Sequence, residues 1–390
     1  MEFAESAWKS FRNLEPCRRQ WSSGVNILSG PNGSGKTNLL ESFHVLCGWG
    51  PFAGKSAPLP AWGEPRAFLG ARLTGEEELE VEVQVGPRTS LRVGKESVTH
   101  PVLRSFVPSL SFLPPDTGLL DGSPGARRFF LDKLCALCSP LYARRLAEYG
   151  QLVRQRTALL RQSGPPSPAL RATAVPLAKL GGWIRDIRKK TVFQGHGPWT
   201  QLEDENERGR EPCIPSEDRQ SLDFWIRRQG RENFGLSFET GLSLSLKGSL
   251  GIEDAAEDLE AALAASRERE AYAGTVLVGP HRDDLLFHCT VDGKSVPAAL
   301  ALSRGQKRRV VAAAILAAGR LIEKRLRRKP VLLLDDVTAE LDAEGCGLLL
   351  CALAETGWQT FLTTADEARA SFPGAASWKL RDGTVLGAEK

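Results

Sequence analysis

The hydrophobic pattern of the chain changes period twice. Val25-Asn26-Ile27-Leu28 is a short apolar run and predicts a buried strand. It leads into a glycine-rich turn and then a helix, on which Leu39, Phe43 and Leu46 recur at helical spacing. Glu78 to Val85 alternates polar and apolar through Leu79, Val81, Val83 and Val85, which predicts a half-buried strand. Beyond residue 124 a different rhythm takes over. Tyr142, Leu146, Tyr149, Val153 and Leu160 form a heptad-like stripe along one long helix. The run Ser163-Gly164-Pro165-Pro166-Ser167-Pro168 breaks that helix, and a second one ends near Lys190. Residues 195–220 are polar and read as a loop excursion. Leu242, Leu244 and Leu246 alternate as in a strand, and 253–270 is acidic, alanine-rich and helical.

Strand and helix then alternate again. Leu285 to Val291 predicts a strand, and a long amphipathic helix follows Gly305, with Val311, Ala314, Ile315, Ala318, Ile322 and Leu326 on one side. Val331–Leu334 and Thr360–Thr364 are apolar enough to be strands covered on both faces. The two ends of the chain thus read as one α/β domain, 1–115 plus 276–390, interrupted by an inserted helical module at 116–275.

Composition narrows the class. The chain has 390 residues, 42% hydrophobic and 25% charged, the balance of a globular protein with room for two domains. Its longest aliphatic run, Val310 to Ala318, is far short of the ~20 residues of a membrane span. The first residues carry neither a basic nor an apolar leader segment. The eight cysteines do not form a disulfide framework, so a reducing cytoplasm is expected. Cys135-x-x-Cys138 lacks a second pair and reads as two small buried residues on a helix.

The net charge of +4 hides an asymmetry. Residues 127–190 hold 14 Lys/Arg against 3 Asp/Glu, a local balance of +11 that leaves −7 for the rest. Such a block suits a polyanion-binding face or a solvated helical face. Arg144, Arg145, Arg154 and Arg161 lie off the apolar stripe and are the candidate contacts for such a polyanion. A second basic group, Arg325, Arg327, Arg328 and Lys329, ends the long helix, where the helix dipole alone accounts for cations.

The chemistry is carried by three motifs. Gly30-Pro31-Asn32-Gly33-Ser34-Gly35-Lys36-Thr37 matches the phosphate-loop pattern, with a strand before it and a helix after it. Its glycines let backbone N–H groups turn toward phosphate oxygens. Lys36 can reach the terminal phosphates, and the Thr37 hydroxyl can ligate Mg²⁺. The apolar strand ending in Asp335-Asp336 supplies carboxylates: Asp335 to hold Mg²⁺, Asp336 to orient or deprotonate the attacking water. Leu302-Ser303-Arg304-Gly305-Gln306 matches the ABC-type signature at four of five positions and precedes a long helix. Ala339-Glu340-Leu341-Asp342 follows the acidic strand and supplies an aspartate loop at Asp342. This order excludes kinases, G proteins and ordinary helicases. In ABC-type ATPases the signature serves the nucleotide of the opposite subunit, so ATP, Mg²⁺ and a homodimer are expected together.

The 299-residue gap between Lys36 and Asp335 requires an inserted module, as in SMC-like ATPases. Here the sequence resembles the RecF family closely. The resemblance rests on Phe11-Arg12-Asn13, on the phosphate loop with Asn38-Leu39-Leu40-Glu41, and on Gly122-Ser123-Pro124 with Arg127-Arg128 and Phe130-Leu131-Asp132. Further matches are Tyr149 with Gln155-Arg156, Gly279-Pro280-His281-Arg282-Asp283-Asp284, and Leu333-Leu334-Asp335-Asp336-Val337. It implies an ABC-type, SMC-like ATPase head with an inserted, mainly helical lid. It also implies a DNA-binding protein of single-strand/double-strand gaps that dimerises with ATP and hydrolyses it slowly. Recombinase loading in gap repair and the SOS response, and partners of the RecO and RecR type, follow from the same resemblance. The sequence departs from the family at Arg304, at Ala339 and at Gly50-Pro51-Phe52-Ala53-Gly54-Lys55, where a Ser-Phe-Arg element is usual. A transporter or translation-associated ABC ATPase is the competing class, and an ATP-binding SMC-like protein without hydrolysis is a third. His281 and Asp283 read either as an interface element coupled to the nucleotide or as a turn with surface charges.

Overall fold

The computed structural model describes residues 1–54, 58–113, 118–162, 168–193, 222–234, 243–247, 256–291, 294–336, 341, 343–366 and 372–389. The chain divides into two compact units. One comprises Met1–Thr117, Glu232–Gly235 and Arg304–Lys390; the other comprises Gly118–Arg231 and Leu236–Ser303. The division after residue 117 lies next to the expected one. The return falls between Ser303 and Arg304 instead of at 276. The reason is that 276–303 is tied into the second unit: the strand Asp284–Val291 pairs with Ser243–Lys247. Asp283 and Asp284 also bind Arg185 and Arg127 of its helices.

In the first unit, a six-stranded sheet runs in the order Thr384–Glu389, Ala376–Arg381, Val25–Ser29, Thr360–Thr364, Val331–Leu334, Ser109–Phe112. Its inner strands are parallel. Every residue of Val25–Ser29, Val331–Leu334 and Thr360–Thr364 is buried, as a parallel sheet covered on both faces requires. The terminal hairpin turns at Asp382-Gly383, both with positive φ, the geometry whose twist suits a two-residue hairpin.

A second six-stranded sheet is ordered Cys17–Gln20, Glu2–Lys9, Ala67–Thr74, Leu79–Val85, Ser90–Val93, Glu96–Ser97, and all its pairings are antiparallel. Its strands alternate buried and exposed residues, as Ala67–Thr74 shows, so one face packs inward. The helix Lys36–Leu46 shares one core with both sheets. Phe43 stacks on Phe361 of the parallel sheet at 4.0 Å and meets Phe3 of the antiparallel sheet edge-on at 5.1 Å. This core sets the position of the phosphate loop, because the helix that follows the loop is packed on both sides.

The second unit is built on the helices Pro124–Cys138, Tyr142–Leu160 and Ala174–Val192, joined by Ala256–Ala265 and Arg267–Ala273. A three-stranded antiparallel sheet, ordered Lys294–Pro297, Asp284–Val291, Ser243–Lys247, completes it. Tyr142, Tyr149 and Leu160 of the expected stripe are buried. Gly181 is where Ala174–Val192 makes its close contacts: an added Cβ would run into Leu259 and stand 3.4 Å from the Tyr149 ring. Cys135 lies in this core, and burial pushes its thiol up to about 12.

Candidate nucleotide site

The parallel order places the C-terminal ends of three adjacent strands together, the usual place for a ligand in an open α/β sheet. Val25–Ser29 runs into the phosphate loop, Val331–Leu334 runs into Asp335-Asp336, and Thr360–Thr364 lies between them. The Thr37 hydroxyl donates to the Asp335 carboxylate at 2.9 and 3.1 Å. The Thr363 hydroxyl donates to Asp335 Oδ1 at 2.7 Å and accepts from the Asp336 backbone N–H at 2.9 Å. Asp336 has φ 51, a left-handed conformation that turns the chain sharply at the strand end. Thr363 thus fixes both acidic residues. The polar pair Thr363-Thr364 ending an apolar strand was the sequence signal for it.

Within the loop, Gly33 and Gly35 have φ 82 and 101, open to glycine and costly for other residues. At Gly30 a Cβ would meet the Leu380 carbonyl oxygen. Lys36 Nζ donates to the carbonyls of Gly30 and Pro31 at 2.6 and 2.8 Å, so its ammonium lies over the loop. Burial lowers its pKa, against the opposing pull of Asp336 and Asp335. Ser34 Oγ is buried without a hydrogen-bond partner. Helix Lys36–Leu46 begins at the loop and directs its positive end there. Left-handed glycines, one cation, one orphan hydroxyl, and a Thr–Asp pair of oxygen ligands fit a nucleotide phosphate chain with Mg²⁺. Pro31 and Asn32 complete the loop and are exposed or partly so.

Three supports of the loop were not read as such from sequence. Asn13 Nδ2 donates to the Gly33 carbonyl at 3.2 Å, and Asn13 Oδ1 accepts from Asn38 Nδ2 at 2.7 Å. Arg12 forms a bidentate pair with Glu41 at 2.7 and 3.0 Å. Gly383 N–H donates to the Ser34 carbonyl at 3.0 Å. The Phe11-Arg12-Asn13 and Asn38–Glu41 stretches are therefore two halves of one brace. The departure at Gly50–Lys55 joins it: the Phe52 N–H donates to Glu41 Oε1 at 2.8 Å. Lys55 lies outside the described residues, as do Ala339 and Asp342 of the aspartate loop.

The signature stands at the start of the helix Arg304–Leu326, with Ser303, Arg304 and Gln306 exposed and Gly305 partly so. Arg309, one turn on, pairs with Glu344 at 2.6 Å.

The basic block of the second unit is divided between surface and interior. Arg144, Arg145, Arg154 and Arg161 are exposed. Arg144 and Arg145 share Glu148, at 3.0 and 3.2 Å, and Arg161 donates to the Gly274 carbonyl. Four other arginines turn inward. Arg127 pairs with Asp284, Arg156 with Glu270, Arg185 with Asp283 and Arg188 with Asp132, at 2.6–2.9 Å. The local excess of +11 is therefore not all available at a surface. Asp283 is 6% exposed, which overturns the reading of surface charges on a turn. His281 bridges the Tyr149 hydroxyl, 2.8 Å from Nδ1, and the Val276 carbonyl, 3.2 Å from Nε2. Burial lowers its pKa. These partners all lie in the second unit.

No family model matches the chain. It is 31% identical over 364 residues to the "DNA replication and repair protein RecF" of Symbiobacterium thermophilum, covering 92% of this chain and 89% of that one. It is 32% identical over 366 residues to the protein of the same name from Myxococcus xanthus, covering 91% and 88%. Among solved structures it is similar to the recombination mediator protein RecF-ATPrS in the RecFOR pathway, with TM-score 0.80, 23% identity, and coverage of 100% and 98%. An Smc head bound to the C-winged helix domain of ScpA aligns with TM-score 0.52 at 16% identity, covering 100% and 98%. These likenesses show an ABC-type, SMC-like head fold with an inserted unit.

Proposed function

The chain belongs to the RecF family of DNA replication and repair proteins, and on that premise we propose that it is an ATP-gated DNA-binding dimer acting at single-strand/double-strand gaps. The observation that carries the proposal is the meeting of Thr37 with Asp335 beside a complete phosphate loop. A family member built this way has the parts of an ATPase switch, and among the described residues no helix is long and apolar enough to cross a membrane. It is the kinship to RecF proteins that favours a DNA-repair ATPase over a transporter cassette.

In this reading, the amides of Gly33 and Gly35, the Ser34 hydroxyl and the start of helix Lys36–Leu46 bind the phosphates, and Lys36 moves from the Gly30 and Pro31 carbonyls onto the terminal phosphates. Thr37 and Asp335 would hold Mg²⁺, which when bound would neutralise phosphate charge. Asp336, fixed through its N–H by Thr363, accepts the proton of the attacking water. Ser303, Arg304, Gly305 and Gln306 of a second copy close over the nucleotide, so ATP binding and dimerisation are one event. Hydrolysis is slow, is stimulated by DNA, and releases the dimer. RecO- and RecR-type mediators are the partners this cycle serves, in the cytoplasm.

The test is the mass of the full chain with and without ATP, on gapped DNA, for wild type and Ser303→Arg, together with ATP turnover with and without DNA. Wild type should dimerise with ATP and turn over faster on DNA, while Ser303→Arg binds ATP as a monomer. A Ser303→Arg variant that dimerises as well as wild type contradicts the shared site.

A further inference from the structure

The long helix of the first unit ends at Leu326, and Arg327 follows with φ 52. This is the left-handed position after a helix, where glycine or asparagine is the usual residue because a Cβ is penalised there. A residue that breaks this rule keeps its place for something other than the turn. Around it lie Lys324, Arg327, Arg328 and Lys329, all exposed. The helix dipole, expected from sequence to account for the whole group, covers only Lys324 and Arg325 of the last turn, because the helix ends at Leu326 and the effect falls off before 327–329. The segment 320–329 contains one acidic residue, Glu323, and Arg320 pairs with it at 3.0 Å.

The strip is also held in place. Arg328 donates to the Ser105 carbonyl at 2.6 Å and Lys329 to the Gly357 carbonyl at 3.1 Å. These bonds fix the segment between the helices His100–Phe106 and Ala343–Thr356 while its charge stays at the surface. Of the exposed large apolar side chains among the described residues, Val102 alone lies on those two helices. A protein partner would be expected to find an apolar or aromatic anchor here. A row of cations flanked by a single exposed valine and, among the described residues, no exposed aromatic on those helices matches a nucleic-acid backbone, whose affinity comes from phosphate neutralisation.

We propose that Lys324, Arg327, Arg328 and Lys329 form a second docking strip for the phosphate backbone of duplex DNA, on the ATPase unit and separate from the basic helices of the inserted unit. The proposal rests on the DNA-binding reading above and adds a surface to it.

Arg327→Gly separates this role from folding, because glycine suits φ 52 better than arginine. Binding of the full chain to a fluorescently labelled duplex is measured by anisotropy over a salt series, with melting temperature in parallel. The arms are wild type, Arg327→Gly, and the combination Lys324→Gln, Arg327→Gly, Arg328→Gln. Arg327→Gly should melt at or above wild type, yet lose about 0.9 from the slope of log K against log salt; the triple variant should lose about 2.7. A wild type that binds duplex, with both variants keeping its slope, overturns the strip alone. A polyglutamate peptide that binds wild type but not the triple variant, with the DNA slope unchanged, assigns the strip to an acidic protein and overturns it too. A wild type without duplex affinity overturns the DNA-binding reading itself.

Discussion

The Thr37 hydroxyl donates to both oxygens of Asp335 across 298 residues of chain, at 3.1 and 2.9 Å. Two distant segments, each a generic motif alone, are thereby joined into one oxygen-ligand pair. Asp335→Asn keeps the shape but removes the charge that attracts a divalent cation. ATP binding in the presence of Mg²⁺ should then weaken about 10-fold or more, while binding without the metal changes little, as titrations with and without a chelator will read. A mutant whose Mg²⁺ dependence equals that of wild type places the metal elsewhere.

Lys36 is the cation seated on the phosphate loop, where its ammonium now satisfies the Gly30 and Pro31 carbonyls. Lys36→Met keeps the stem and removes the charge. Two charge-assisted hydrogen bonds of ~1.5–3 kcal/mol each correspond to a loss of affinity of about 100-fold or more. Calorimetric titration with ATP tests this, and circular dichroism should report an intact fold.

Reversing Arg144, Arg145, Arg154 and Arg161 together should flatten the salt dependence of DNA binding. Each phosphate neutralised contributes about −0.9 to the slope for duplex. Arg144 and Arg145 already face Glu148, so the expected change lies between about 1.8, for Arg154 and Arg161 alone, and the roughly 3.6 of four free cations. An unchanged slope means this helix face is solvated surface only.

His281 supplies a pH dependence. The Val276 carbonyl requires an N–H at Nε2, which leaves Nδ1 to accept the Tyr149 hydroxyl, so the folded protein holds a neutral ring. Its pKa lies below the ordinary 6.5, chiefly through burial, and those of His100 and His288 are lowered the same way. The unfolded chain therefore takes up protons that the folded one refuses. Stability is full above about 6.5 and declines as pH falls through that value toward the lowered folded pKa. Melting temperatures over this range should drop on acidification, and His281→Gln should reduce the drop. An equal drop in both would assign it to other groups.

Much of the site was legible because its motifs are local. The phosphate loop, Asp335 and Asp336 are contiguous strings next to apolar runs, and Thr360–Thr364 is a strand over its full predicted length. What escaped was whatever needed tertiary pairing. Glu2–Lys9 forms the strand paired to Ala67–Thr74, but its sequence has no β-branched residue to announce it. The Asn13–Asn38 and Arg12–Glu41 braces are side-chain contacts between segments that show no periodicity. The return boundary escaped because Leu285 to Val291 reads as a strand of the resumed α/β alternation, and only its pairing with Ser243–Lys247 ties it to the second unit. Pairing with Asp284, Glu270, Asp283 and Asp132 removes Arg127, Arg156, Arg185 and Arg188 from the basic face, which no count of charges along the chain could show.

Hydrolysis at Asp336 is the step that should open the dimer. Asp336→Asn is nearly isosteric, and the N–H that binds Thr363 Oγ1 belongs to the backbone, so the strand end keeps its geometry. The amide cannot take the proton of water, so turnover should fall about 10²–10⁴-fold. The decisive measurement is dissociation from gapped DNA after loading with ATP and Mg²⁺, for wild type, Asp336→Asn and Asp335→Asn. The account predicts a long-lived dimer on DNA for Asp336→Asn, and loss of that state for Asp335→Asn. Equal release rates for wild type and Asp336→Asn would contradict it.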